Sequence, residues 1–86
     1  MIAYLFFNRQ SATERQMSDI DRELTRLEVE TELIDADSPR GIGLVEYYDI
    51  MGRPAVVLAR GDGSAVQIWQ GDEMPLLADI SYLAHQ

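Results

Sequence analysis

Pro54 stands at the threshold of the apolar run Ala55-Val56-Val57-Leu58, after the stretch Tyr48-Asp49-Ile50-Met51-Gly52-Arg53, and it constrains the fold more than any other residue. Proline has no amide proton, so it can open a strand but does not sit within a central one. The run from Ala55 to Ala59 therefore reads as a buried strand entered through an ordered loop. An Xaa-Pro bond is also where a cis peptide costs least, about 0.5 to 1 kcal/mol. Local packing can then hold Arg53-Pro54 in cis and leave the backbone of Arg53 exposed.

The rest of the composition narrows the chemistry. Eighty-six residues suit a single domain spanning 1–86. All 7 basic residues are arginine, the acids number 15, and the net charge of -8 repels phosphate backbones and anionic lipid heads. Nucleic acid and membrane surfaces are therefore not expected partners. The chain contains no cysteine, which excludes disulfides, thiolate catalysis and sulfur-based zinc sites. The opening Met1-Ile2-Ala3-Tyr4-Leu5-Phe6-Phe7 is apolar but carries neither a basic region before it nor a small-residue cleavage site after it, and cytoplasmic residence is the expectation.

Helical and extended patterns alternate along the chain. Ile2 to Phe7 is a nearly continuous apolar run, the mark of a central strand covered on both faces. Ser11 with Glu14 predicts a capping box, and Met17, Ile20, Leu24 and Leu27 then line one face of a helix. Val29 to Asp35 alternates apolar and acidic residues and reads as a strand near a sheet edge, with Glu30 and Glu32 facing water. Ser38-Pro39 predicts an N-cap with proline at the first helical position, opening a helix through Leu44, Val45 and Tyr48. Gly41 and Gly43 should loosen its first turn, and Gly52 marks its exit. Gly61-Asp62-Gly63 predicts a hairpin joining Ala55–Ala59 to an alternating strand from Ala65 to Trp69. Pro75 then opens a last helix with Leu76, Leu77, Ile80, Leu83 and Ala84 on its apolar face.

This βαβαββα order, the Asp35-Ala36-Asp37 ending of the second strand, the spacing of Tyr48, Ile50, Gly52 and Pro54, and the later Gly63 and Gly71 resemble the thioredoxin family across nearly the whole chain. The resemblance implies an α/β fold with a four-stranded mixed sheet in the order 2-1-3-4, covered by three helices. It also implies a tyrosine closing the second helix, a cis proline, a glycine turning the hairpin and another ending the last strand. Tyr48, Pro54, Gly63 and Gly71 occupy those places.

The family's catalytic residues do not carry over. Its Cys-x-x-Cys opens the first helix, where free amides stabilise a thiolate, and here that place reads Ser11-Ala12-Thr13-Glu14. A serine hydroxyl has no accessible anion near neutral pH and forms no disulfide, so Ser11 reads as an N-cap rather than a nucleophile. The buried acid that thioredoxins tend to have six residues before the first cysteine is replaced by Leu5. His85, the only histidine, reads as a frayed side chain near the end of the chain. Asp35 and Asp37 lack the spaced ligands of a calcium loop and read as caps of the neighbouring helix, Asp62 is a turn residue, and Trp69 is a core or sheet-face residue. No cofactor or metal is expected.

What the resemblance leaves is a groove. In that fold the residue before the cis proline pairs its backbone with an extended peptide, opposite the start of the first helix. Arg53 and Pro54 would form one rim, and Ser11, Ala12 and Thr13 the other. The expected function is a redox-inactive thioredoxin-like module, not an enzyme, that binds a protein or peptide by strand addition. Arg53 would favour a carboxylate on that partner. The plainer reading pairs Arg53 with Glu14 or Asp49 within the chain. Other readings are a homodimer formed through the fourth strand or an exposed Trp69 face, and an inherited thiol-disulfide oxidoreductase.

Overall fold

The apolar run Ile2–Phe7 forms strand β1, and the helical pattern after it forms α1 over Ala12–Arg26. In the computed structural model, which describes residues 1–71 and 74–86, these are followed by β2 (Glu30–Asp35), α2 (Pro39–Tyr47), β3 (Ala55–Ala59), β4 (Ala65–Gln70) and α3 (Leu77–Ala84). The four strands make one mixed α/β sheet in the order β2-β1-β3-β4. β1 lies parallel to β2 and antiparallel to β3, and β3 and β4 form the antiparallel hairpin. Among the described residues, three helices cover this sheet, and none is long and apolar enough to cross a membrane.

Side-chain alternation along the central strands builds two cores. Ala3, Leu5, Val56 and Leu58 pack on one face with Met17 and Leu24 of α1 and Ile80 of α3. Phe6, Ala55, Val57 and Ala59 pack on the other with Tyr48 and Ile50, flanked by Leu44 and Val45 of α2. Every residue of β3 is buried, as a strand covered on both faces requires. Trp69 is half-buried against the α1 and α3 side.

Several local expectations are corrected. The first turn of α2 is regular: Ser38 caps it by accepting from the Gly41 amide at 3.0 Å, with Pro39 at the first helical position. Gly41 is required there by packing, because a Cβ would collide with the Asp35 carbonyl oxygen and stand 3.0 Å from the Ala36 Cα. Asp35 does not cap α2 through its side chain; its carboxylate accepts from the Asp37 amide at 3.0 Å. Gly52 does not end α2 either. Asp49 does so in the left-handed region (φ 55), with Asp49 N–H donating to Glu46 and Ile50 N–H to Val45. Glu28 (φ 61) closes α1 in the same way, with Val29 N–H donating to Leu24. Both are Schellman ends built without glycine.

At the β2 edge Glu30 faces water, but Glu32 is half-buried and paired with Arg40, whose guanidinium lies 6.0 Å from the Tyr4 ring centroid. The last helix begins at Leu77 instead of Pro75, and Leu76 is its exposed N-cap residue, not part of the apolar face. His85 is tied down: its Nε2 lies 3.0 Å from the Leu27 carbonyl and joins the end of α3 to the end of α1.

Candidate functional site

Register decides which loops meet. Phe7 stands opposite Asp35, Phe6 opposite Ala55, and Ala55 opposite Gln70. The C-terminal ends of β1, β2 and β4 and the N-terminal end of β3 therefore share one end of the sheet. Ser11–Thr13 and Arg53-Pro54, the two halves of the site read from the sequence, lie in the segments that leave β1 and enter β3 at that end.

The helix-side half is a closed hydrogen-bonded ring. Asn8 N–H donates to Thr13 Oγ1 at 3.0 Å, Ser11 Oγ donates to the Asn8 carbonyl at 2.5 Å, and the two hydroxyls lie 2.6 Å apart. The Ser11 proton goes to Asn8, so the bond between the hydroxyls is donated by Thr13. Among the described residues the Ser11 hydroxyl has no carboxylate or imidazole partner that could act as its base. The expected capping box is displaced by one residue. Ser11 is the N-cap by backbone conformation without a side-chain cap, and Glu14 accepts from the Gln10 amide at 3.2 Å. The cause is the left-handed turn at Gln10 (φ 55), beside which the Ser11 hydroxyl bonds back to Asn8. Ser11 and Ala12 remain exposed, and Thr13 is half-buried.

The proline-side half is held from β4. Gln70 Oε1 accepts from the Met51 amide at 2.7 Å and from the Gly52 amide at 3.0 Å. One residue on, Gly71 N–H donates to the Pro54 carbonyl at 2.9 Å. Arg53 sits between these anchors, and the Arg53-Pro54 peptide bond is cis. Arg53 is exposed, and among the described residues neither its backbone N–H and C=O nor its guanidinium has a hydrogen-bonding or ionic partner. The pairing with Glu14 or Asp49 is therefore not formed. No hydrogen bond or ion pair among the described residues bridges Ser11–Thr13 to Arg53-Pro54, so the two halves border the same sheet end without being tied to each other.

Other residues of this end had no signal in the sequence. Gln70 is one of two glutamines on an uncharged strand, and only register brings its amide to the Met51-Gly52 backbone. Asn8 donates from Nδ2 to Asp37 at 3.3 Å, and Arg9 Nε lies 3.6 Å from Asp35, so the loop after β1 is tied to the loop after β2. Beside Ser11, an open depression of about 480 Å³ is lined by Arg9, Gln10 and Glu14. Met51 is 82% exposed on the proline side. Among the described residues no group of three or more acidic or histidine side chains is arranged to hold a metal ion.

No protein-family model matches the chain, and no curated protein matches it. The site offers an exposed arginine, Arg53, whose neighbours on both sides are held by hydrogen bonds, and two hydroxyls engaged in the loop after β1.

Proposed function

We propose that this chain is a thioredoxin-like domain without thiol chemistry that binds an extended protein segment at Arg53 and Pro54, with Ser11, Ala12 and Thr13 as the facing rim. One observation carries the reading: Arg53 is exposed and its backbone lacks a hydrogen-bond partner among the described residues, while Gln70 and Gly71 hold the residues on either side. A backbone held in place with its N–H and C=O open accepts a strand at low entropic cost, since the ordering is already done. The guanidinium adds preference for a carboxylate on the incoming segment, which it can bind bidentately. The lack of cysteine removes disulfide exchange from this site.

Partner capture from the native host, comparing the intact protein with Arg53→Glu, tests the reading. Charge reversal is expected to abolish capture of a specific partner. Amide shifts recorded as that partner is added should change at Ser11–Thr13 and Met51–Ala55; changes confined to the far end of the sheet would reject the groove. No intrinsic insulin-reducing turnover is expected, and any such turnover would return the protein to the oxidoreductase class.

A further inference from the structure

A chain without cysteine has thioethers as its only oxidisable sulfur, and this one has 4, in Met1, Met17, Met51 and Met74. Exposure separates them. Met17 is fully buried, Met74 is half-buried against the core on the α1 and α3 side, Met1 is 41% exposed, and Met51 is 82% exposed. Met51 also differs in its surroundings. Its amide and that of Gly52 are held by Gln70 Oε1, so the backbone is fixed while the side chain stands in water. Two residues on, the exposed Arg53 guanidinium has no hydrogen-bonding or ionic partner among the described residues.

We propose that Met51 is the residue of this protein that hydroperoxides oxidise first, and that its sulfoxide engages the Arg53 guanidinium, so that the groove responds to oxidant without a thiol. The Met51 thioether attacks one oxygen of the hydroperoxide. An S–O bond forms, the O–O bond breaks, and the proton on the transferred oxygen leaves with the other oxygen as water or an alcohol. Sulfur gives up two electrons and the peroxide takes them. A thioether is a weak acceptor, whereas the sulfoxide oxygen carries partial negative charge and accepts strongly from an arginine, which has five N–H donors to offer. Arg53 held in this way is withheld from a carboxylate on an incoming segment. That last effect rests on the groove reading; the oxidation and the new bond do not. Reversal takes two electrons from a dithiol, which becomes a disulfide as the sulfoxide oxygen leaves as water with the two thiol protons. Having no cysteine, the chain depends on a separate sulfoxide reductase for that step.

Hydrogen peroxide added to the intact protein tests it, followed by peptide mass mapping and by the Arg53 Nε–H NMR signal. Met51 should oxidise about tenfold faster than Met17 and Met74, with unchanged circular dichroism. The Arg53 signal should shift in step with Met51 oxidation and return after treatment with sulfoxide reductase and dithiothreitol. Met51→Leu should abolish the shift, and Met51→Gln, whose amide oxygen is an acceptor, should reproduce part of it without peroxide. Oxidation of Met51 no faster than that of Met17 overturns the proposal. So does an Arg53 signal that ignores the oxidation, or a shift that persists in Met51→Leu. Partner capture separates this proposal from the groove reading. No capture by the reduced protein rejects the groove and leaves the Met51 and Arg53 bond to stand on the NMR result, whereas equal capture by the reduced and oxidised forms overturns the response of the groove to oxidant.

Discussion

The Tyr48 hydroxyl donates to the Gly63 carbonyl at 2.7 Å, across 15 residues of sequence, and so ties the end of α2 to the turn of the β3–β4 hairpin. The Tyr48 ring is buried, with Tyr47 edge-on at 4.8 Å and Tyr4 tilted at 6.3 Å. Tyr48→Phe keeps the packing and loses the bond, leaving the Gly63 carbonyl without this donor. We expect it to cost about 1 kcal/mol and to lower Tm by about 4 to 8 °C, measured by thermal unfolding.

The same tyrosine sets an alkaline limit. Burial first, then the neighbouring Tyr4, Tyr47 and Asp62, hold its pKa above the ordinary 10.0. The unfolded chain therefore releases the proton before the folded one does. The contribution of Tyr48 is full below about pH 10 and is lost as pH climbs through the raised folded value. Denaturant titrations at successive pH values should show the wild type losing stability in that range and Tyr48→Phe losing less.

At acid pH the hairpin turn responds in the opposite sense. The Ser64 hydroxyl at 2.7 Å and the Ser64 amide at 2.9 Å hold the Asp62 carboxyl below its ordinary value of 3.8. A depressed carboxyl stabilises the fold above the unfolded pKa and ceases to do so as pH falls through the folded one. Asp62→Asn should flatten that part of the stability curve, and NMR titration of the Asp62 carboxyl carbon should give a midpoint under 3.8.

Gly41 meets the end of β2 so closely that no side chain fits. Gly41→Ala should cost about 2 to 3 kcal/mol even though alanine is the better helix former, because the clash is with backbone and cannot be relieved by a rotamer change. Gly43, with open space around it, is the control: Gly43→Ala should stabilise by about 0.5 to 1 kcal/mol. Chemical denaturation of the two variants separates packing from propensity.

Glu28 and Asp49 occupy left-handed backbone positions that cost a side-chain-bearing residue about 1 kcal/mol. Glu28→Gly and Asp49→Gly should each raise stability by about 0.5 to 1 kcal/mol, after the added freedom of the unfolded chain is subtracted. Equal or lower denaturation midpoints would show that those side chains do more than close a helix.

Gln70→Ala removes the acceptor shared by the Met51 and Gly52 amides. Exchange of those two amides should accelerate by about 10- to 100-fold, corresponding to about 1.4 to 2.8 kcal/mol of local protection, while β1 amides change far less. Gln70→Glu, which keeps the accepting oxygen, should retain most of the protection.

The scaffold was legible from short-range pattern. The Ile2–Phe7 run, the Met17 and Leu24 spacing, Ser38-Pro39 and Gly61-Asp62-Gly63 each carry a local physical preference, and each appears in its expected element. The misreadings fall where a local rule met a long-range contact. Gly41 resembles a helix weakener until β2 is packed beside it, and Leu76 belongs to an apolar pattern but lies outside the helix. Ser11 has the sequence of a cap, yet its hydroxyl finds the Asn8 carbonyl first.

By itself, then, the sequence determined the α/β class, the order of elements and the absence of thiol chemistry, because hydrophobic period, turn residues and composition act over a few positions. Only the tertiary structure decided that Gln70 holds the backbone ahead of Arg53, that the start of α1 and the cis Arg53-Pro54 bond share one end of the sheet, and that β4 presents an uncharged edge. Those relations depend on strand order and register, which bring together residues with no local preference for one another.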